Sequence, residues 1–277
     1  MRMRLPTSPS GTVHVPSGVK YSASKVPEIT VLFWIVKVLT TGMGETTSDF
    51  FVRSINPVIA VGFGAVGLAA ALAWQFSLRR YLPAVYWLAV VMVSVFGTMA
   101  ADVLHVGLGV PYAVSTPGFA IVLAAVLVVW FRVEGSLSIH SITTRRREAF
   151  YWATVLTTFA LGTAAGDLTA TTLHLGFFTS SLVFAAVIVF PGLAYRARLL
   201  RAVPAFWFAY IITRPIGASF ADWMGLPGYR GGIGWGTGPV SLTLGLIIVV
   251  LVAVLSIRHT VVVRTPSFPI RSSGQTE

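Results

Sequence analysis

Apolar residues run along this chain in blocks of about twenty, the length a helix needs to cross the hydrocarbon of a bilayer. Eight such blocks stand at 29–52, 57–77, 83–106, 113–133, 149–172, 177–197, 203–225 and 238–257. The breaks between them carry Pro57, Arg79-Arg80, Pro111 with Pro117, Arg145 to Arg147, Arg196 to Arg201, and the glycine-rich run from Gly225 to Gly238. The pattern predicts an all-α membrane protein of eight transmembrane helices.

Composition agrees. Only 10% of the residues are charged and mean hydropathy is +0.81, whereas a soluble surface needs about 25% charged residues. Lipid is the expected partner. A net charge of +11 would suit a nucleic-acid binder if the bases clustered on one face, but they lie between apolar blocks, so no nucleic acid is expected. They serve better as an orientation signal. The N-terminal tail, the even-numbered turns and the C-terminal tail hold sixteen Lys and Arg, and the opposite loops hold only Arg53 and Arg230. This predicts an inner (plasma) membrane protein with both termini cytoplasmic. Residues 1–25 and 261–277 read as polar, disordered cytoplasmic tails. The chain has no cysteine, which excludes disulfides and thiolate metal sites.

The blocks fall into four copies of one unit. Trp34, Trp87, Trp152 and Trp207 each follow an aromatic residue: Phe33, Tyr86, Tyr151 and Phe206. Ten residues on stand Gly44, Gly97, Gly162 and Gly217, and fifteen residues on stand Asp49, Asp102, Asp167 and Asp222, each after a small residue. The repeats occupy 26–80, 81–145, 146–200 and 201–260. Two helices per unit make each copy enter and leave on the same side, so the copies are parallel, related by an axis along the membrane normal. A pseudo-fourfold or nested twofold bundle, with the four odd helices near the axis, is the simplest arrangement. The chain resembles a bacterial integral membrane family of four tandem two-helix repeats of unknown function, each with a characteristic tryptophan. That resemblance implies the architecture and no activity.

The aromatic–tryptophan pairs read as an interfacial belt, with substrate stacking as the alternative. Each glycine, with a small residue four positions on, forms a face for close helix packing. Each aspartate lies about 22 Å along its helix from the tryptophan, in the outer part of the membrane. A carboxylate there is costly, usually faces a cavity or a partner, and marks an ion or proton path. The alternative is a structural helix cap.

The copies differ in their chemistry. Glu45 stands one turn before Asp49. His105 follows Asp102 by three residues, His174 follows Asp167 by seven, and repeat four carries Arg214-Pro215. Carboxylates with imidazoles suit a divalent transition metal, which makes Asp49, Asp102, Asp167, His105 and His174 the candidate metal ligands. The wider substrate-binding set is Asp49, Asp102, Asp167, Asp222, Glu45 and Arg214. Arg214 needs an acidic partner from another repeat, Glu45 or Asp102, and Lys37 is expected to snorkel to the cytoplasmic face. Five acids against two bases inside the membrane favour a cation.

These residues predict a transporter or exporter of a small cation, either a divalent metal ion as substrate or a proton-coupled one. A redox or cofactor-binding protein using His105 and His174, or a structural or sensory scaffold, are the alternatives. No cofactor is identified, enzyme activity is not expected, and the oligomeric state is open. There is no Walker A sequence and no HExxH, which argues against primary active transport by this chain alone.

Overall fold

The computed structural model describes residues 24–264, so most of both expected tails lies outside it. Within those residues the chain is entirely helical: α1 (Val31–Ser54), α2 (Pro57–Ser77), α3 (Pro83–Asp102), α4 (Tyr112–Glu134), α5 (Arg145–Asp167), α6 (Phe177–Val187), α7 (Val189–Arg196), α8 (Ala202–Gly225) and α9 (Thr237–Arg264). The starts follow local chemistry. Thr30 and Thr144 accept from the amides of Phe33 and Arg147, and Pro57 and Pro83 occupy first-turn positions where no amide is needed. Gly135 ends α4 in a left-handed conformation at φ 69°. The expected helix over 177–197 is interrupted at Ile188, three residues before Pro191, whose missing N–H removes a helical hydrogen bond.

Five spans are long and apolar enough to cross a membrane by length and composition: 57–77, 83–105, 112–134, 177–196 and 237–258. The other three long helices, α1, α5 and α8, hold most of the buried charge. They pack with α3 as an inner ring, in which α1 contacts α3, α3 contacts α5, α5 contacts α8, and α8 closes on α1. The α3 span is 67% buried, whereas the α4 and α9 spans are 17% and 11% buried and present rows of exposed apolar side chains. Each outer helix packs chiefly on the inner helix of the following repeat: α2 on α3, α4 on α5, α6 on α8, and α9 back on α1. The four units are therefore interlocked, and none carries its own shell.

The repeated glycines lie on the seams of the inner ring, as their spacing predicts. A Cβ on Gly44 would stand 1.8 Å from Ser94 Oγ, on Gly97 2.7 Å from Phe159 Cβ, on Gly162 2.1 Å from Arg214 Cγ, and on Gly217 1.8 Å from Thr41 Oγ1. In every case the neighbour is the residue seven after the tryptophan of the adjoining inner helix. Gly62, Gly64 and Gly67 have the spacing of a dinucleotide-binding loop, but they lie inside continuous α2. There Gly64 and Gly67 make room for Met99 and Met92 of α3. They are packing positions, not a phosphate loop.

Two expectations are corrected at the end where the inner helices begin. Three of the four tryptophans do not form a lipid-facing belt, and Trp34 is partly buried. Trp87, Trp152 and Trp207 are 2–4% exposed and join Phe33, Tyr86, Tyr151 and Phe206 in one aromatic layer. Large rings at equivalent positions of four adjacent helices fill the space between them better than they would fill an interface. Nor does the ordered chain begin after Lys25. Lys25 is buried, and its ammonium donates to Glu148 Oε2 at 2.6 Å while Gln75 donates to Oε1 of the same carboxylate at 3.0 Å. The α4–α5 connector folds under this layer, burying Ile139 and Ile142, and the indole of Trp207 donates to Leu137 O.

Candidate functional site

At the opposite end the inner helices part around a cavity of about 830 Å³. All four repeat aspartates line it, together with Glu45. The convergence follows from the ring: fifteen residues of helix from four co-aligned tryptophans bring Asp49, Asp102, Asp167 and Asp222 to one level. In repeats two and three the α-helix ends at the aspartate and continues as a single π-turn, Val103–Gly107 and Leu168–Thr172, a local geometry frequent at functional sites. The side chains of Asp102 and Asp167 make no capping hydrogen bond, so the cap reading gains no support there. Asp49 pairs with Arg53, one turn on, at 2.6 Å. Asp222 is 5% exposed and lines the cavity.

Beneath the cavity is a polar knot. Arg214, fully buried, donates through Nη1 to Thr41 O at 2.8 Å and through Nη2 to Glu45 Oε2 and Thr163 Oγ1, each at 2.8 Å, and to Thr98 Oγ1. The hydroxyls of Thr98 and Thr163 donate to the same Glu45 oxygen at 3.1 and 3.2 Å. Glu45 is the partner expected for Arg214, and it also faces the cavity. The fourfold pattern explains the knot. Glu45, Thr98 and Thr163 all stand eleven residues after their tryptophans, and the fourth such position is Ala218. Its small side chain leaves space that Arg214 fills from one turn below. A charge pair removed from water this completely persists when further hydrogen bonds support it; the two threonines and Thr41 O supply them, while Arg214 Nε has no partner among the described residues.

Lys37 corrects another expectation. It does not snorkel. It is 1% exposed, its Nζ lies 4.3 Å from the ring centres of both Phe159 and Tyr210, and it has no hydrogen-bond partner among the described residues. Arg214 rests on the same Phe159 ring, its Cζ 4.8 Å from the centre.

The histidines stand apart from the carboxylates. His105 Nδ1 donates to Val110 O at 2.6 Å, Nε2 meets Ser115 Oγ at 2.9 Å, and the ring lies against Tyr112 at 3.5 Å. It braces the turn that carries Tyr112 to the cavity wall. His174 is exposed on a left-handed backbone, φ 55°. Neither lines the cavity. Among the described residues no group of three or more His, Cys, Asp or Glu is arranged to hold a metal ion. Of the candidate metal ligands, then, Asp49, Asp102 and Asp167 share the cavity, and His105 and His174 do not join them.

The glycine-rich loop is tied down through its own backbone. Its residues Ile233 to Gly236 donate back to carbonyls of Trp223, Leu226, Met224 and Gly225, satisfying the end of α8. Leu226 and Arg230 form part of the cavity rim.

Sequence reasoning missed Thr98, Thr163 and the apolar cavity wall. The threonines were within reach, because extending the repeat alignment to its eleventh position places them beside Glu45. The wall was not, because it is drawn from residues without a repeated pattern.

A family model described as Repeat of Unknown Function (DUF347) matches the chain four times, over residues 32–81, 85–136, 150–198 and 205–260. No curated protein and no solved structure matches it.

Proposed function

The chain belongs to this repeat family, whose description carries no activity, and from its residues we propose that it is a multi-pass membrane carrier for a cation. In this reading the eight helical spans form a pseudo-fourfold bundle of parallel repeats in the inner membrane, with both termini cytoplasmic. The acidic cavity faces outward between Arg53 and Arg230. The observation that carries the proposal is the convergence of four aspartates and Glu45 on one cavity, with Glu45 also bonded to the fully buried Arg214. A concave site of one sign with low-dielectric walls concentrates counter-ions, and carboxylates inside a membrane are retained where they face a pathway. Glu45 then has two competing partners, Arg214 from below and the cation from above. A cation that reaches Glu45 weakens the Arg214 pair, and loosening that knot frees α1 and α8 to move relative to α3 and α5.

Reconstituted protein should move a cation down an imposed gradient, tested with sodium, manganese, methylammonium and tetraethylammonium. Sulfate should not move. Glu45→Gln should reduce flux per folded molecule by roughly tenfold or more, the effect of losing one charge contact of about 1.4 kcal/mol. Folded protein that moves none of these cations, or flux unchanged in Glu45→Gln, would overturn the proposal.

A further inference from the structure

We propose that the occupant of the acidic cavity is an organic cation, a single positive head on an apolar body, and not a bare metal ion. This rests on the cavity being a cation site and names its substrate class.

Size is the first argument. About 830 Å³ lies within the range of roughly 300–1,000 Å³ of sites for small organic molecules. A bare divalent ion needs about six oxygens converging at 2.0–2.6 Å, and no three acidic or imidazole groups among the described residues are so placed.

The lining is the second. Acids occupy only part of it, and Val52, Val61, Met99, Val103 and Leu226 supply an apolar wall beside them. Such a wall does nothing for a hydrated metal ion, but it buries the body of an amphipathic molecule. Tyr112 and Phe177 add aromatic rings, which attract organic cations.

The third is Asp222. It is 95% buried, faces the cavity, and its carboxylate has no hydrogen bond or ion pair among the described residues. The accessible part of its carboxylate therefore faces the cavity, and a bound ammonium or phosphonium head would supply an opposite charge there without demanding a fixed coordination shell.

The fourth is access. Val58, in the first turn of α2, lines the cavity and is 80% exposed. The α2 span is only 22% buried. The cavity therefore opens beside the first turn of α2, and in this proposal an amphipathic cation enters there from the lipid that covers α2.

The test is equilibrium binding of radiolabelled tetraphenylphosphonium to the purified full-length chain in detergent, with competition by alkyltrimethylammonium ions of increasing chain length and by manganese. One saturable site is expected. Affinity of the competitors should rise about fourfold per methylene over the first few carbons, and millimolar manganese should compete poorly. Asp222→Asn should weaken binding by roughly tenfold, one charge contact's worth, with its elution profile and melting curve showing a folded protein. Asp102→Asn serves as a second variant, expected to weaken binding in the same direction. Absence of a saturable site in folded wild type, or displacement by manganese with no dependence on chain length, would overturn the proposal. The two proposals fail separately. Saturable binding without flux refutes carriage and leaves the site standing. Flux of sodium or manganese without organic-cation binding refutes the class and leaves carriage standing.

Discussion

Where the four inner helices begin, aromatic rings and a folded-back connector fill the space between them; some 22 Å further along, the same helices part around a cavity of about 830 Å³. The repeat accounts for both. Near its start it supplies two large rings per helix, and those rings pack edge to face and tilted against one another across the inner helices. Near its end it supplies Ser48, Ala101, Gly166 and Ala221, each followed by an aspartate. Small side chains fill little volume, and four carboxylates cannot pack against one another. The filled end holds the bundle together, and the hollow end is free to meet something else. Between them lie successive turns at which the four copies diverge, with Lys37, Arg214 and Glu45 standing three, seven and eleven residues after their tryptophans and buried inside the ring. The comparison teaches that a repeated unit can place scaffold and site in register, and that departures from the repeat mark where the two are coupled.

The largest effect should come from forcing the seam between them. Gly217→Leu places a side chain where even a Cβ would stand 1.8 Å from Thr41 Oγ1 and 2.7 Å from Val38 O. Backbone cannot retreat as a flexible side chain can, so this variant should yield no folded monodisperse protein by size exclusion. Recovery of wild-type yield and melting would show that α1 and α8 do not meet as described.

The knot comes next. Arg214→Met leaves Glu45 buried and uncompensated and should cost about 3–5 kcal/mol, whereas Arg214→Met combined with Glu45→Met should cost far less. The double-mutant cycle, read by thermal unfolding in detergent, isolates the coupling. Additive losses would mean the two residues are not paired, and the coupling drawn here between filled and hollow ends would go with them.

At the filled end, Glu148→Ala removes the acceptor of both Lys25 and Gln75. It should destabilise by about 3 kcal/mol, as expected for orphaning a buried charge, and should release the segment before α1 to proteolysis. Flux per folded molecule should be unaffected if the filled end is scaffold alone.

Much of this arrangement is legible in the sequence, because a repeat constrains geometry. Four tryptophans, glycines and aspartates in fixed register suffice to infer an inner ring, its seams and the common level of the aspartates. What escaped is what the repeat does not encode. The tryptophans suggested an interface because aromatic residues near helix ends usually mark one, and only the closure of the ring shows that Trp87, Trp152 and Trp207 are buried within it. Lys37 suggested a surface residue because long amines usually reach water, yet the rings of Phe159 and Tyr210 enclose it. Those rings come from two other repeats, so no local pattern announces them. His105 and His174 looked like ligands by spacing along one helix, but His105 lies inside the π-turn after Asp102, which alters the helical phase, and His174 lies past the π-turn after Asp167 in a left-handed, non-helical position, and neither lines the cavity.

The smallest effect is also the one that separates the ends by sign. At the filled end, Trp207→Phe removes the indole donor to Leu137 O and should destabilise by about 1 kcal/mol, the usual net value of one hydrogen bond. At the hollow end, Asp222→Asn removes a carboxylate that is 5% exposed and has no hydrogen bond or ion pair among the described residues, so it relieves a desolvation cost and loses no such contact. It should raise the melting temperature slightly, corresponding to about 1 kcal/mol or less, even as it weakens cation binding. Stability gained where function is lost is the expected mark of a site held ready for a ligand. Both variants are to be melted side by side in detergent, with and without tetraphenylphosphonium. Ligand should stabilise wild type and Trp207→Phe alike, and Asp222→Asn much less. If Asp222→Asn instead loses stability as Trp207→Phe does, its carboxylate is a structural element and the two ends are not the opposites described.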